Sequence, residues 1–155
     1  GLDLKLKIIG GVIQDYHLKY LESLKKLVND LKIDESVEFS GPVSSDEMPE
    51  YLRTSEILIN AVPFGGLDKV VLEAMASGVV PLTSNNAFLN VFPPEISHDL
   101  VFKINDAQDL KNKLKNTLDK KFYQNELLRS GLRDVVVKNH NLDNLIERIY
   151  KEMEK

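Results

Sequence analysis

The segment PFGGLDKVVLEAMASG, residues 63–78, indicates how the chain folds. Gly65 and Gly66 stand near its start, and a mostly apolar run follows and ends at Gly78. This pattern is typical of a buried helix that follows a glycine turn, with Gly78 as the left-handed residue that stops the helix. Glycines at the start also let a ligand approach the backbone, because no Cβ stands in the way.

The helix predicted in this segment begins near Leu67 or Asp68 and ends at Ser77. The N–H groups of its first turn have no partner inside the helix, and the helix dipole favours a negative charge there. A phosphate group could therefore bind at this start without a dedicated side chain. A tight turn with no ligand is the alternative, and the residues alone leave both interpretations open.

Three charged residues, Asp68, Lys69 and Glu73, stand among the apolar ones. Asp68 is either a helix cap or a functional carboxylate. Lys69 and Glu73 have the spacing of an ion pair on a helix surface, which contributes only about 0.2–0.5 kcal/mol. Glu73 has neighbours typical of a buried helix, where a carboxylate is costly without partners. Either Lys69 or a pair of ligand hydroxyls, such as those of a ribose, satisfies it.

Strands and helices alternate on both sides of this segment. The predicted strands are residues 4–11, 36–41, 56–64, 79–84 and 100–105. The other predicted helices are residues 15–31, 44–55, 107–120, 122–140 and 142–155, and residues 85–99, with two prolines, are predicted to form a loop. This alternation predicts an α/β fold with a Rossmann-like parallel sheet and helices on both faces. Ligands in such folds bind beyond the carboxyl ends of the strands.

The composition is that of a globular domain. The chain has 155 residues, 43% of them hydrophobic, which fits one domain (residues 1–155) with a single core. The net charge of -4 gives no sign of a nucleic-acid partner. The absence of cysteine excludes disulfides and thiolate metal sites and suits a cytoplasmic location. The first residues alternate like a strand that is already under way, so we expect the chain to be a piece of a longer protein.

The segment VVLEAMASGVVPLTSN, residues 70–85, resembles the C-terminal, donor-binding domain of group 1 retaining glycosyltransferases of the GT-B fold. The resemblance extends from LKIIGG, residues 6–11, to LVFKINDAQDLKNKL, residues 100–114. It implies half of a GT-B fold that binds a nucleotide diphosphate sugar, whose sugar passes to an acceptor saccharide or lipid with retention. It implies no metal and no cofactor besides this donor substrate. The first strand–helix unit of the domain and the N-terminal acceptor domain would precede Gly1, and peripheral membrane association is left open for the parent protein only.

The resemblance also implies two principal site residues. In that family a Glu-(seven residues)-Glu motif spans this turn and helix. Glu73 matches the second Glu, which binds the ribose of the donor. Gly65 occupies the position of the first Glu, which contacts the donor sugar, so the motif is incomplete here. Asp68, three residues later, is the candidate substitute.

Further donor-binding residues follow from the same resemblance. The backbone N–H groups of Gly66, Leu67 and Asp68 are expected to hold the diphosphate, and Lys69 adds a positive charge. Val43, after the second strand, matches the part that packs on the nucleobase. Asn85 either reaches the donor sugar from the end of the fourth strand or is a turn residue.

Two other functions remain open. A nucleotide-sugar epimerase of the same architecture would carry its acid–base residues in the missing half. A degenerate, non-catalytic nucleotide-binding module is compatible with Gly65 in the motif. A receiver-like signalling domain is disfavoured, because it needs acidic residues where this chain has Gly10 and Gly11, and Pro63 and Phe64.

Overall fold

A computed structural model of the chain describes residues 4–12, 14–62 and 65–154. It divides into two compact units, Gly1–Met48 and Pro49–Lys155. Helices alternate with parallel strands in both, which confirms the predicted α/β class. The predictions that involve Pro63, Phe64 and the final Lys155 lie outside the described residues.

The first unit contains one parallel strand pair. Strand β1 (Leu6–Ile9) pairs with β2 (Val37–Gly41), and Leu6 lies opposite Val37. Helix α1 (Asp15–Asp30) connects the two strands, as a parallel pair requires. The bounds of both strands and of the helix agree with the sequence prediction within two residues. Strand β1 is shorter than predicted at each end.

The second unit contains the other parallel pair. Strand β3 (Ile57–Asn60) pairs with β4 (Val80–Thr83), with Asn60 opposite Thr83 at their carboxyl ends. Helix α3 (Lys69–Ala76) lies between them in the chain. All four residues of β4 are buried, which is usual for a strand covered on both faces.

Helix α3 packs on the core through one face. Val71, Ala74 and Met75 recur at three- and four-residue spacing and are fully buried. They contribute to a core whose buried hydrophobic residues are Val71, Met75, Val80, Leu82, Phe88, Phe92, Leu100, Val101, Phe102, Phe122 and Leu132. The remaining helices are α2 (Met48–Arg53), α4 (Pro94–Leu100), α5 (Ala107–Asp119), α6 (Glu126–Asn139) and α7 (Leu142–Met153). None of the helices in the described part of the chain has the length and apolar character that a membrane crossing needs.

The predicted fifth strand, residues 100–105, is wrong. Only Val101 makes a bridge, with Thr83, and the N–H of Phe102 donates to the Thr83 carbonyl at 2.9 Å. Leu100 belongs to α4 instead. Leu100, Val101 and Phe102 are buried, but this segment pairs with β4 over too few residues to form a strand.

The predicted loop, residues 85–99, is also mostly wrong. It contains a 3-10 helix, Asn86–Asn90, and then α4. Pro93 is the N-cap of α4 and Pro94 its first residue. Proline is compatible with the N-cap and the first residue of a helix, because the first N–H groups of a helix have no helical partner to lose.

Candidate functional site

The turn that enters α3 lies beyond the carboxyl end of β3, and we call residues 65–68 the glycine turn. Gly65 has a φ of 133°, a conformation that residues with a Cβ rarely adopt. No described atom lies within 4 Å of a Cβ built on Gly65 or Gly66. The turn therefore requires glycine at one position and leaves space beside the backbone at both.

Two N–H groups at the start of α3 are available to a ligand. The N–H groups of Val71 and Leu72 both donate to the Asp68 carbonyl, at 3.1 and 3.3 Å. Those of Lys69 and Val70 donate to no residue within the described ranges. Two unpaired donors at the positive end of a helix form a favourable site for an anion.

Asp68 is the N-cap of α3, but its side chain does not cap the helix. Its carboxylate accepts a hydrogen bond from Asn85 Nδ2 at 3.2 Å instead. Only the Asp68 carbonyl closes the first helical turn. The structure therefore separates the two roles considered for Asp68: the backbone caps, and the carboxylate remains beside the glycine turn.

Glu73 lies one helical turn beyond Lys69, and the two form an ion pair with 3.2 Å between Lys69 Nζ and Glu73 Oε1. The Lys69 side chain is 79% exposed and that of Glu73 36% exposed. Glu73 is therefore not buried with Ala74 and Met75, as its neighbours in sequence suggested. An exposed pair of this kind is weak, so a ligand can replace either partner at little cost.

Polar side chains join the carboxyl ends of β3 and β4 beneath the glycine turn. Asn60, Thr83 and Asn85 are buried, with exposed fractions of 8%, 0% and 3%. Thr83 Oγ1 donates to Asn60 Oδ1 at 3.4 Å and accepts from the N–H of Asn85 at 3.1 Å. Asn85 Nδ2 donates to the Gly66 carbonyl at 2.9 Å as well as to Asp68. We call Asn60, Thr83 and Asn85 the polar clamp.

Comparison with known proteins gives the family. Residues 1–134 match the model of the family described as glycosyl transferases group 1. The chain belongs to this family. The α-1,2-mannosyltransferase of Dictyostelium discoideum, named for GDP-Man and Man(3)GlcNAc(2)-PP-Dol, is 33% identical over 86 residues, which cover 56% of this chain and 17% of that protein. A GDP-mannose-dependent phosphatidylinositol monomannoside mannosyltransferase of Mycobacterium tuberculosis is 34% identical over 90 residues, which cover 52% of this chain and 21% of that protein.

Solved structures of glycosyltransferases share the fold. The Anabaena protein HepE in complex with UDP matches with a TM-score of 0.83 at 12% identity, over 97% of this chain and 41% of that chain. Sucrose-phosphate synthase from Thermosynechococcus elongatus matches with a TM-score of 0.78 at 18% identity, over 96% of this chain and 38% of that one. These matches confirm the GT-B type of fold. The chain thus spans well under half the length of these proteins.

The site residues predicted from the sequence are brought together only in part. Gly65, Gly66, Asp68 and Asn85 contact one another or are adjacent in the glycine turn, and α3 carries Lys69 and Glu73 beside it. Leu67 lies in the turn and is exposed. The roles of all these residues in donor binding stay predictions. For Asn85 the structure adds a different task, since Oδ1 also accepts from the N–H of Ala87 at 3.0 Å.

Val43, the predicted nucleobase contact, belongs to the first unit of the chain. It is partly exposed and follows β2 by two residues. Its neighbour Pro42 lies close to Gly11, because a Cβ built on Gly11 would stand 3.0 Å from Pro42 Cβ. The segments that follow β1 and β2 therefore touch at the carboxyl ends of these strands, and the nucleobase contact of Val43 stays a prediction.

The site residues predicted from the sequence did not include Thr83 of the polar clamp, nor did they include Asn60. Its only signal is a polar side chain at the end of the apolar strand sequence ILIN. The sequence shows no partner for it, because Thr83 lies 23 positions away. Among the described residues, no three His, Asp or Glu side chains are grouped so that they could hold a metal ion.

Proposed function

We propose that the chain is the donor-binding domain of a glycosyltransferase that moves a sugar from a nucleotide diphosphate to an acceptor with retention. One observation carries the proposal: beyond the carboxyl end of β3, the glycine turn leads into a helix with two N–H groups that have no described partner. Glu73 stands partly exposed one turn further along the same helix. An anion and a hydroxyl-rich group, joined in one ligand, fit these two features.

The diphosphate would bind at the start of α3. The N–H groups of Lys69 and Val70 can donate to its oxygens, and the helix dipole adds to the attraction. Lys69 Nζ can turn from Glu73 to a phosphate, because the exposed ion pair contributes only about 0.2–0.5 kcal/mol. Glu73 then accepts hydrogen bonds from the ribose hydroxyls in place of Lys69. The ligand thus replaces both partners of one weak ion pair.

These groups also suit the chemical step. When the bond between the sugar and the diphosphate breaks, the bonding electron pair leaves with the diphosphate, which gains negative charge. Donors already fixed near that charge lower the barrier without reorganisation. The acceptor hydroxyl oxygen bonds to the sugar, and its proton passes to an oxygen of the departing diphosphate. Asp68 lies beside the glycine turn, where its carboxylate can accept from a hydroxyl of the donor sugar.

The known relatives support a nucleotide sugar as donor but not one base. HepE has been solved with UDP and with UDP-glucose, whereas the mannosyltransferase relatives are named for GDP-mannose. The acceptor, a saccharide or lipid, is part of the proposal and would bind outside this chain. A cytoplasmic location is part of it too.

A calorimetric screen of the full-length protein against UDP, GDP and ADP tests donor binding. We expect one nucleotide to bind, and Glu73→Ala to weaken binding roughly tenfold or more, since hydrogen bonds to a charged group contribute about 1.5–3 kcal/mol. Glu126→Ala is the matched control, because Glu126 also forms an exposed ion pair on a helix, with Arg129. The donor-site proposal is wrong if no nucleotide binds at millimolar concentration.

A non-catalytic nucleotide-binding module is the second candidate. It is favoured by Gly65, which stands where the family resemblance places a Glu. Such a module would bind a nucleotide as tightly as an enzyme but would transfer no sugar. Nucleotide binding together with an absence of nucleotide release from UDP-glucose and GDP-mannose, with acceptors present, would support this candidate.

A further inference from the structure

Buried side chains at the carboxyl ends of β3 and β4 are hydrogen-bonded to the glycine turn. We propose that the polar clamp fixes this turn in its anion-binding conformation, and that Asn85 is therefore a positioning residue. The inference rests on the proposed function, in which the diphosphate binds at the start of α3, directly after this turn. It assigns to Asn85 a role different from the sugar contact that the family resemblance suggested.

Asn85 holds the turn at two points. Its Nδ2 donates to the Gly66 carbonyl at 2.9 Å and to Asp68 Oδ2 at 3.2 Å. Its Oδ1 accepts from the N–H of Ala87, and the side chain is almost completely buried. Both N–H donors of the Asn85 amide are thus used inside the chain, and a bound sugar could accept from Nδ2 only by displacing one of these bonds.

The rest of the polar clamp holds Asn85 and the chain that leaves β3. Thr83 Oγ1 accepts from the N–H of Asn85 and donates to Asn60 Oδ1. Asn60 Oδ1 also accepts from the N–H of Val62 at 3.2 Å, which bends the chain after β3. Since Asn60 and Thr83 lie opposite each other in paired strands, the polar clamp stands on a rigid base.

The hydrogen bonds from the polar clamp matter because the glycine turn is intrinsically flexible. Gly65 and Gly66 lose more conformational freedom on ordering than other residues would. If the turn became ordered only when the diphosphate bound, that loss would reduce affinity. The buried hydrogen bonds of the polar clamp order the turn during folding instead.

Asn85→Asp is the sharpest test, because it preserves the shape of the side chain and the acceptor for Ala87. It removes the Nδ2 donor and places a second carboxylate beside Asp68. We expect the Kd for UDP or GDP to rise roughly tenfold or more. We also expect faster hydrogen exchange at the amides of the glycine turn. Asn86→Asp is the matched control: it adds the same charge at the next position, which is exposed, and should change neither quantity.

Three further variants separate positioning from stability and from charge. Asn85→Ser retains a short acceptor but cannot reach Gly66, so it should weaken binding without an added charge. The double variant Asp68→Asn with Asn85→Asp restores one side-chain hydrogen bond in the reverse direction and should recover part of the lost nucleotide affinity. Leu132→Ala creates a cavity in the core and should lower the melting temperature while the folded protein keeps its Kd.

The outcomes distinguish this inference from the proposed function. Unchanged exchange of the turn amides in both Asn85 variants overturns the polar clamp, whether or not a nucleotide binds. Faster exchange with an unchanged Kd overturns the link to affinity. Faster exchange in a protein that binds neither UDP nor GDP supports the polar clamp as the support of the turn and overturns the proposed function.

Discussion

The two ends of α3 treat their backbone hydrogen-bonding groups differently. Beyond its C-terminal end, the N–H groups of Ser77, Gly78 and Val79 all donate to carbonyls of the helix, at 2.9 to 3.0 Å. At its start, the N–H groups of Lys69 and Val70 have no acceptor in the part of the chain that the structure describes. Both ends adjoin a glycine with positive φ. Within the described residues, the chain closes the C-terminal end and not the start.

The closed end is reinforced from another helix. Arg129 of α6 donates through Nε to the Gly78 carbonyl at 2.6 Å. Helix ends need partners from the chain, from water or from a ligand. At the C-terminal end of α3, for which we propose no ligand, the chain satisfies the backbone hydrogen-bonding groups. At the start of α3, where we propose that the donor binds, two N–H groups remain available within the described residues. Substitutions at the two ends should therefore have different consequences.

The largest effect is expected at the open end, for Asp68→Asn. Sugar transfer by the full-length enzyme should fall about 100-fold or more, because a charged group near the reacting sugar is lost. The melting temperature should change little, since the amide oxygen of the introduced asparagine can still accept from Asn85. Steady-state transfer rates and thermal melts check this. A clear loss of stability with intact transfer would mean that Asp68 is only structural.

The next effect compares the glycines at the two ends, Gly65 and Gly78, whose φ values are 133° and 72°. Gly78→Ala should destabilise the protein by about 1–2 kcal/mol, the cost of left-handed backbone, and leave the nucleotide Kd unchanged. Gly65→Ala should lower stability and weaken nucleotide binding. Urea unfolding and calorimetry measure the two quantities.

Gly131→Ala is the control for this pair. Gly131 lies inside α6, and no described atom is within 4 Å of a Cβ built on it. Alanine should therefore stabilise the helix by about 0.5–1 kcal/mol. Equal losses of nucleotide affinity in Gly65→Ala and Gly78→Ala would contradict the proposed difference between the two ends.

The smallest effect is expected for the turn just before α2, where Ser44 and Glu47 hydrogen-bond to each other. Ser44 Oγ accepts from the N–H of Glu47, and Glu47 Oε2 accepts from both the Ser44 hydroxyl and the Ser44 N–H. The hydrogen bond from the Ser44 hydroxyl, and then that from its backbone, hold the pKa of Glu47 below its ordinary value.

Because the folded-state pKa of Glu47 is lowered, its contribution to stability is present above the ordinary pKa and is lost as the pH falls through the lowered one. Glu47→Gln should therefore have a slightly lower melting temperature than the wild type at neutral pH, and the difference should vanish in acid. Thermal melts across this range check the prediction. A difference that grows in acid would contradict the Ser44 contacts.

The sequence predicted α3 within two residues because its signals are local. The glycines before it, its apolar face and Gly78 after it all lie within one short segment. The start of α2 was predicted less well: Ser44 Oγ accepts from the N–H of Glu47, but the helix begins only at Met48 and not at residue 44. Residues 45–47 form a turn between them.

Elements that depend on distant partners could not be predicted in this way. Whether Val101 extends a strand depends on how far it pairs with Thr83, and an apolar run does not contain that information. The same holds within the site, since Asn85 lies 19 positions from Gly66 and 17 from Asp68. The residues proposed for the site were therefore named from the sequence, and their roles stay predictions, whereas the hydrogen bonds of the polar clamp to the glycine turn required the structure.

Binding of the diphosphate at the start of α3 can be tested by following the backbone amide chemical shifts of the protein during titration with UDP and with GDP. We predict that the amide resonances of Lys69 and Val70 move with the bound fraction, because these N–H groups exchange water for phosphate oxygens. The resonances of Gly78 and Val79, at the closed end of the same helix, should stay in place. If a nucleotide bound and the amide resonances of Lys69 and Val70 did not move, binding of the diphosphate at the start of α3 would be contradicted.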